Sequence, residues 1–346
     1  MESLLNSLLS EPLFAESAPC ATLRRKPLGF VDIGARGGVH PLVEPLAGVT
    51  AVLGFEPDEE ECARLNADSG IRTPWSAFRI EPIALAAGES VAQLHLLSTP
   101  TNHSLLKPNV EFTERYNMVK WRQIGVVPLR TSNLDKLLFG LPRQEHYWGE
   151  FLKLDTQGTE FEILEGAERT LAERTVAVFC EVEFFQVMEG QKLFSDVELF
   201  LRARGFAFYG FATIGHRSCK FLDKRKEAGR ERMFYADAVF FKDPLAGCIQ
   251  EIVFSERGIH VLFACALLLE YYDFALELAR ATWATGAEAK RIEALVRTCA
   301  ALPPTKTHSD AIELARRVKA NPDLANIEVG RFVDRRRHLC DYNDLS

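Results

Sequence analysis

Gly29-Phe30-Val31-Asp32-Ile33-Gly34-Ala35-Arg36-Gly37-Gly38 is the stretch on which the fold turns. Its first half is a short apolar run with one acid near the end, the pattern of a buried strand. Its second half holds three glycines, which let the backbone take positive φ and pass close to a neighbour. A strand that runs straight into such a turn opens a βαβ unit. The dinucleotide fingerprint would require glycine at 36 and 39, where Arg36 and Val39 stand. What the chain carries instead is Asp32-x-Gly34-x-x-x-Gly38.

That spacing fits the amino-acid end of S-adenosylmethionine better than a pyrophosphate. Asp32, Gly34, Ala35, Arg36 and Gly38 are therefore candidate cofactor contacts, and a tight strand-to-helix turn without a ligand is the plainer alternative. Downstream, the pattern predicts a helix over 39–46 and a second strand over 49–55. Asp58 and Glu61 have capping-box spacing and predict a helix to Asn66. A third strand is expected over 78–85. The second strand ends in Gly54-Phe55-Glu56-Pro57. In a doubly wound sheet that end lies beside the first turn, at the switch point where ligands bind. A Glu56 carboxylate there can accept both ribose hydroxyls, with Pro57 beside it. An ordinary exposed Glu ahead of a Pro-led helix would look the same.

The third informative stretch is Phe151-Leu-Lys-Leu-Asp155-Thr-Gln157-Gly158-Thr-Glu160. It reads as a strand, then an acid and a glycine at a turn, then a helix over 161–171 with Glu160 at its positive end. Asp155 stands where a reacting group would sit, although a capping Asp is the plain reading. Further strands are expected over 91–97 and 176–182, and Ser195 with Glu198 predicts a helix to Arg204. Strands over 207–211 and 233–241, joined by a basic loop over 220–232, form an antiparallel hairpin at the sheet edge. That loop would meet a phosphorylated or nucleotide-linked carrier, or be a solvated turn. Residues 98–125 are polar and loop-like around Asn102, His103 and Ser104, and a segment of that length suits a lid or binding loop.

In this order the three segments resemble the FkbM family of S-adenosylmethionine-dependent methyltransferases. Ser132-Asn-Leu-Asp-Lys-Leu-Leu138, Glu181-Val-Glu-Phe-Phe185, Gly190-Gln-Lys-Leu-Phe-Ser195 and Tyr235-Ala-Asp-Ala-Val-Phe240 add to the likeness, which covers residues 29–243. The resemblance implies a class I methyltransferase fold, α/β and Rossmann-like, with a seven-stranded, mostly parallel sheet and one antiparallel edge strand. It implies that Asp32, Gly34 and Gly38 match the cofactor loop and Glu56 the ribose-binding acid. It points to a hydroxyl on a sugar, glycan or related natural product as acceptor. Arg36 departs from the Asn common in the family's first motif, and Gln157 stands where Glu is frequent.

Methyl transfer to an alcohol is helped by a base. Asp155, Glu181, Glu183 and His103 are the candidates. Asp155 is favoured because a strand-end acid needs no long reach, although it would serve equally to hold the methionine amino group. His146, Tyr147 and Trp148, with Phe184 and Phe185, offer flat faces for a sugar ring or simply fill the core.

Composition bounds these readings. The chain has 346 residues and a formal charge of −7, which gives no electrostatic footprint for nucleic acid. The eight cysteines include no CxxC and the eight histidines no HxxxH or HxH, so no metal site is expected. With no basic n-region or apolar h-region at the start, reduced thiols and a cytoplasmic setting are expected. The longest apolar run, 261–269, is far short of the roughly 20 residues that span a bilayer. A leader over 1–28, a catalytic domain over 29–245 and a helical region over 250–346 are expected, the last with helices at 259–284, 287–301 and 308–320. The 261–269 run must bury itself on the sheet, within the tail or against a second subunit as a homodimer. A nicotinamide-dependent oxidoreductase and a non-catalytic methyltransferase-like binding protein are the competing classes.

Overall fold

The computed structural model describes residues 4–140, 148–227, 229–245, 254–301 and 304–334. Among the described residues ten strands form two sheets. The main sheet has seven: β1 (Leu28–Ile33), β2 (Thr50–Phe55), β3 (Ala77–Glu81), β7 (Phe151–Leu154), β8 (Ala177–Glu183), β9 (Phe206–Arg217) and β10 (Arg232–Lys242). Their order is β3-β2-β1-β7-β8-β10-β9. β1 pairs in parallel with both β2 and β7, and β7 with β8. β10 runs antiparallel between β8 and β9. This is the expected class I methyltransferase sheet with its antiparallel edge hairpin. The order reverses at β1, so the crevice beyond the carboxyl ends of β1 and β7 is the switch point.

The smaller sheet lies outside the first and holds β4 (Ala84–Leu85), β5 (Ser90–Leu97) and β6 (Gln123–Ser132), with β6 in the middle. β4 pairs with the end of β6, and β5 lies antiparallel along it. The predicted strand over 78–85 is thus two strands in two sheets, divided at Pro82, which cannot donate to a ladder. β6 has no counterpart among the predicted elements. Its apolar alternation is interrupted by Pro128, tolerated there because β4 reaches only Thr131 and Ser132, so one side of the strand is a free edge at 128. The 98–125 stretch also contains a short helix, Val110–Arg115, capped by Asn109.

Other boundaries move for local reasons. The turn after β1 leads into a 3₁₀ helix, Pro41–Val49, rather than an α-helix over 39–46, because Pro45 interrupts the α-helical ladder. Asp58 does cap the Glu59–Ala67 helix, accepting from the N–H groups of Glu60 and Glu61. The predicted 161–171 helix breaks into Glu160–Glu165 and Glu168–Glu173. Gly166 sits at that break, and a Cβ there would meet the Ala86 carbonyl at 2.4 Å. The Phe194–Arg202 helix starts one residue before Ser195, and Asp196 rather than Glu198 reaches back to the Leu193 N–H.

Two cores flank the main sheet. One joins its second face to the helices at 134–139, 160–173 and 194–202. The other joins Phe30, Phe151, Phe179 and Phe241 of the first face to Phe14 and Leu23 near the N-terminus and to Val261–Leu267. The apolar run therefore buries itself on the sheet. The predicted 259–284 helix is two, Glu256–Leu268 and Tyr272–Thr282, with Glu270 in the left-handed region between them. Further helices run over Gly286–Ala300, Pro304–Ala320 and Ala325–Asp334. A buried ion pair fixes this layer. Arg257 grips both oxygens of Glu150, at 2.7 and 2.9 Å, and donates to the Lys26 and Pro27 carbonyls. Glu150 in turn accepts from the Gly29 N–H at the start of β1. Removing one member of such a pair costs about 3–5 kcal/mol.

Candidate active site

The parallel register puts Asp32 of β1 directly beside Lys153 of β7. Both side chains are buried, and Lys153 Nζ lies 3.1 Å from Asp32 Oδ1 and 3.9 Å from Asp155 Oδ2. Nζ also donates to the Gly34 carbonyl at 3.2 Å. The Nζ contact to Asp32 Oδ1 is an ion pair without hydrogen-bond alignment, and that oxygen has no other donor among the described residues. The second oxygen accepts from the His40 N–H at 2.8 Å. Burial pulls the Lys153 ammonium down, but Asp32 and Asp155 beside it more than offset this and hold it above its ordinary value.

Gly34 must be glycine. Its φ is +84°, and a Cβ would stand 1.9 Å from the Asp155 carbonyl oxygen. The Asp155 N–H donates to the Ile33 carbonyl, so the ends of β1 and β7 are stitched together here. The Gly34 and Ala35 N–H groups go to the Phe55 carbonyl. Gly37 and Gly38 face open space: a Cβ would meet nothing within 4 Å at Gly37, and only Ile71 at 4.0 Å at Gly38. The Gly37 N–H accommodates a carboxylate already, that of Glu61 at 3.0 Å.

Glu56 is buried at the end of β2, with Pro57 following it. Its Oε1 accepts from the Asp58 N–H at 2.9 Å and lies 3.6 Å from Arg36. Burial raises the Glu56 carboxyl, against the pull of that N–H and of Arg36. Arg36 donates through both terminal nitrogens to Asp58 Oδ2. The side chain that replaces the expected Asn thus spans two acids beside the glycine turn.

Asp155 and Glu181 meet through Gln157. The Gln157 amide nitrogen donates to Asp155 Oδ1 and to Glu181 Oε2, each at 3.0 Å. Gln157 achieves this with φ at +62°, a left-handed conformation unusual for a side-chain-bearing residue. Burial pushes the Glu181 carboxyl well up, and Asp155, Glu183 and Glu160 push it further. Glu183 is raised well above its usual range by burial and then by Glu160. The buried Glu160 accepts from the N–H groups of Thr156 and Gly158, which shapes the turn. Asp237 of β10, in register with Glu181, accepts from the Thr213 hydroxyl. Burial raises its carboxyl as well, against that hydrogen bond.

His103 lies apart from these acids. Its Nδ1 accepts from the Leu97 N–H at 3.1 Å, and burial and then Arg36 lower its pKa, so it belongs to the Arg36 side of the crevice. Its neighbour Ser104 spans to the other side, donating to the Gln157 carbonyl at 2.8 Å. Trp148 is in the core, and Phe184 and Phe185 are engaged by other aromatic rings. His146 and Tyr147 lie outside the described residues.

Lys153, His40 and Asp237 are the site members that motif reading passed over. The signal for Lys153 was available: a lysine inside Phe151-Leu-Lys-Leu must be buried with an acid. His40 packs against Phe179 with the rings tilted and their centroids 5.3 Å apart, and burial followed by Lys153 lowers its pKa. Among the described residues no cluster of His, Cys, Asp and Glu has the arrangement of a metal site.

The sequence profile of the Methyltransferase FkbM domain matches residues 32–208, just over half of the chain, from the acid of the first turn into β9. The chain belongs to the FkbM methyltransferase family. Among solved structures it is similar to an FkbM methyltransferase from Methylobacillus flagellatus KT, at 12% identity and a TM-score of 0.35 over 62% of this chain. The chain spans 43% of the length of that protein. A Streptococcus pneumoniae protein described as a putative tRNA (m1A22) methyltransferase is similar at 12% identity and a TM-score of 0.28, over 82% of this chain and 98% of the other. No curated protein sequence matches. The FkbM match encloses the Asp32–Gly38 turn, Glu56, Lys153, Asp155, Gln157 and Glu181, and leaves Asp237 and the helical C-terminal layer outside it.

Proposed function

We propose that this FkbM-family protein transfers a methyl group from S-adenosylmethionine to a hydroxyl oxygen of a sugar, glycan or related natural product. The observation that carries the reading is the arrangement at the β1–β7 switch point. An open glycine turn and a buried strand-end acid lie on one side, and a bridged pair of carboxyls lies on the other.

The residues fit that cofactor. Asp32 keeps one buried oxygen without an aligned donor, the space at Gly37 and Gly38 is open, and the turn already accepts a carboxylate. Asp32, Gly34, Ala35, Arg36 and Gly38 would hold its methionine end, and Glu56 with Pro57 its ribose. When bound, the cofactor supplies an electrophilic methyl on a neutral leaving thioether. The protein's work is then alignment and removal of one proton. Asp155 accepts that proton from the acceptor hydroxyl. Glu181, its own proton held by burial, limits the charge of the pair, and Gln157 fixes both side chains. His103 orders the loop over the cofactor side. In this reading the catalytic unit runs over 29–245, between an N-terminal leader and the helical region after 250. The free thiols of the described cysteines support a reducing, cytoplasmic setting.

The test is a thermal-shift titration with S-adenosylhomocysteine and with NAD, followed by labelled methyl transfer onto a panel of glycans. Stabilisation by S-adenosylhomocysteine alone is expected. Stabilisation by NAD alone would move the chain to the oxidoreductases, and no response to either would make it a non-catalytic member.

A further inference from the structure

Beyond the carboxyl ends of the strands, two segments meet to form a rim. Residues 218–227 and 229–231, between β9 and β10, project from that edge, because Tyr235 at the start of β10 is in register with Glu183 at the end of β8. The 108–123 segment docks on the same edge, bridging Pro108 to Met188 and donating from the Asn109 N–H to the Val187 carbonyl. Phe112 stacks on Phe185 at 5.2 Å and on Phe234 at 6.0 Å, while the Arg232 guanidinium lies 3.5 Å over Phe185. Cys219 packs into the same cluster with Tyr116, Met118 and Trp121. The turn therefore has a rigid aromatic base.

What this base presents is unusual for an acidic chain. Phe221 is 92% exposed and Leu222 55%, and Val119 on the neighbouring segment is 78% exposed. Solvated turns place polar residues at such tips. Around these apolar side chains the charge is basic. Residues 215–232 carry seven Lys and Arg against three Asp and Glu, and residues 107–123 carry four against two, in a chain whose net charge is −7. Lys220, Lys226, Arg230, Lys120 and Arg122 are all exposed. A cavity of about 470 Å³, lined in part by Val110, Met118, Trp121 and Arg122, opens beside Val119.

We infer that this rim docks on an anionic lipid bilayer, with Phe221, Leu222 and Val119 entering the interface and the surrounding lysines and arginines meeting lipid phosphates. Apolar side chains framed by cations are the combination that peripheral membrane surfaces use, because neither contribution alone holds a protein on a bilayer. Among the described residues no helix is long and apolar enough to cross a membrane, so the contact is one of lying on the surface. The docked orientation turns the carboxyl edge of the sheet towards the bilayer. The inference rests on the rim alone and stands whichever methyl acceptor is correct.

The test is sedimentation of the full chain with phosphatidylcholine vesicles containing about 30% phosphatidylserine, and with phosphatidylcholine alone, at low and at high salt. Binding to the anionic vesicles that falls at least tenfold in high salt, and is weak on neutral vesicles, is expected. Phe221→Ser with Leu222→Ser should weaken that binding by roughly tenfold or more, since two buried apolar side chains are lost. Leu199→Ser, which alters an exposed leucine on the Phe194–Arg202 helix, outside both rim segments, should leave it unchanged. Circular dichroism melts of both variants establish that they fold. No binding to anionic vesicles at low salt would overturn the inference. So would equal binding by the double variant, or a rim that proves to join two copies of the chain, seen as a halved solution mass for the double variant without lipid.

Discussion

At the ends of β1 and β2 the acids that line the turn have cations against them: Asp32 has Lys153, Glu56 and Asp58 share Arg36, and Glu61 holds Arg64. At the ends of β7, β8 and β10 the acids mainly have each other. Asp155, Glu181, Glu183 and Asp237 crowd together, tempered by the Gln157 amide, the Thr213 hydroxyl and a Lys153 whose closer partner is Asp32. The first arrangement sets a cation beside its buried acids and suits the gripping of a ligand. The second keeps protons on some of its carboxyls and suits proton traffic. A methyl transfer that grips a donor on one side and deprotonates an acceptor on the other needs this asymmetry.

The largest effect should come from the proton-handling side. Asp155→Asn keeps the shape and the Gln157 contact but removes the proposed base, so turnover should fall by about 10²- to 10⁴-fold. Affinity for S-adenosylhomocysteine, measured by calorimetry, should change little. An equal loss of both would move Asp155 to the gripping side and erase the division.

Lys153 joins the two sides, and its loss should show in stability. Lys153→Met leaves Asp32 buried without its cation and should cost about 3–5 kcal/mol in urea unfolding. Adding Asp32→Asn should restore much of that loss, because a neutral pair no longer carries a stranded charge. A single variant as stable as the parent would show that Lys153 is not the counter-ion.

The gripping side should respond more modestly. Glu56→Ala should weaken S-adenosylhomocysteine by about 1.5–3 kcal/mol, the scale of a hydrogen bond to a charged acceptor. Fold stability should stay close to the parent's. Unchanged affinity would take Glu56 off the ribose.

How much of this division was legible in the sequence depends on where each residue's partner lies. Asp32, Glu56 and Asp155 could be read because each closes an apolar strand and precedes a glycine, a proline or a turn. These are local signals. The parallel sheet follows from the alternation of strand and helix, and its antiparallel edge from the late hairpin. Lys153 reads locally only as a buried lysine in need of an acid, and which acid it meets, like the place of Asp237, comes from register: Asp32 beside Lys153, and Glu181 beside Asp237. Gln157 was visible as a departure from the family, but its bridging role depends on a left-handed backbone. β6 was lost because Pro128 interrupts its alternation. The break at Gly166 was missed because the carbonyl of Ala86 that forbids a side chain there comes from a distant part of the chain.

The smallest effect probes whether the acid-rich side holds protons. Glu183 titrates well above its ordinary 4.5 in the folded protein, chiefly through burial and then through Glu160. For a carboxyl raised on folding, the stabilisation from holding the proton is complete below the unfolded value and is lost as pH rises through the folded value. Glu183→Gln replaces the protonated carboxyl with a neutral group of nearly the same shape. The variant should match the parent near pH 4.5 and gain on it as pH rises, by about 1 kcal/mol near pH 8, since a tenfold change in a protonation equilibrium is worth about 1.4 kcal/mol. Urea unfolding at both pH values reads the difference. Burial, with repulsion from Glu160 and Asp155 added to it, is then the cause, and the same gain should shrink when Asp155 is already Asn if the two carboxyls feel each other. A Glu183→Gln curve parallel to the parent's at every pH would mean that Glu183 is charged and compensated, and the contrast between the two sides would reduce to one of solvent exposure.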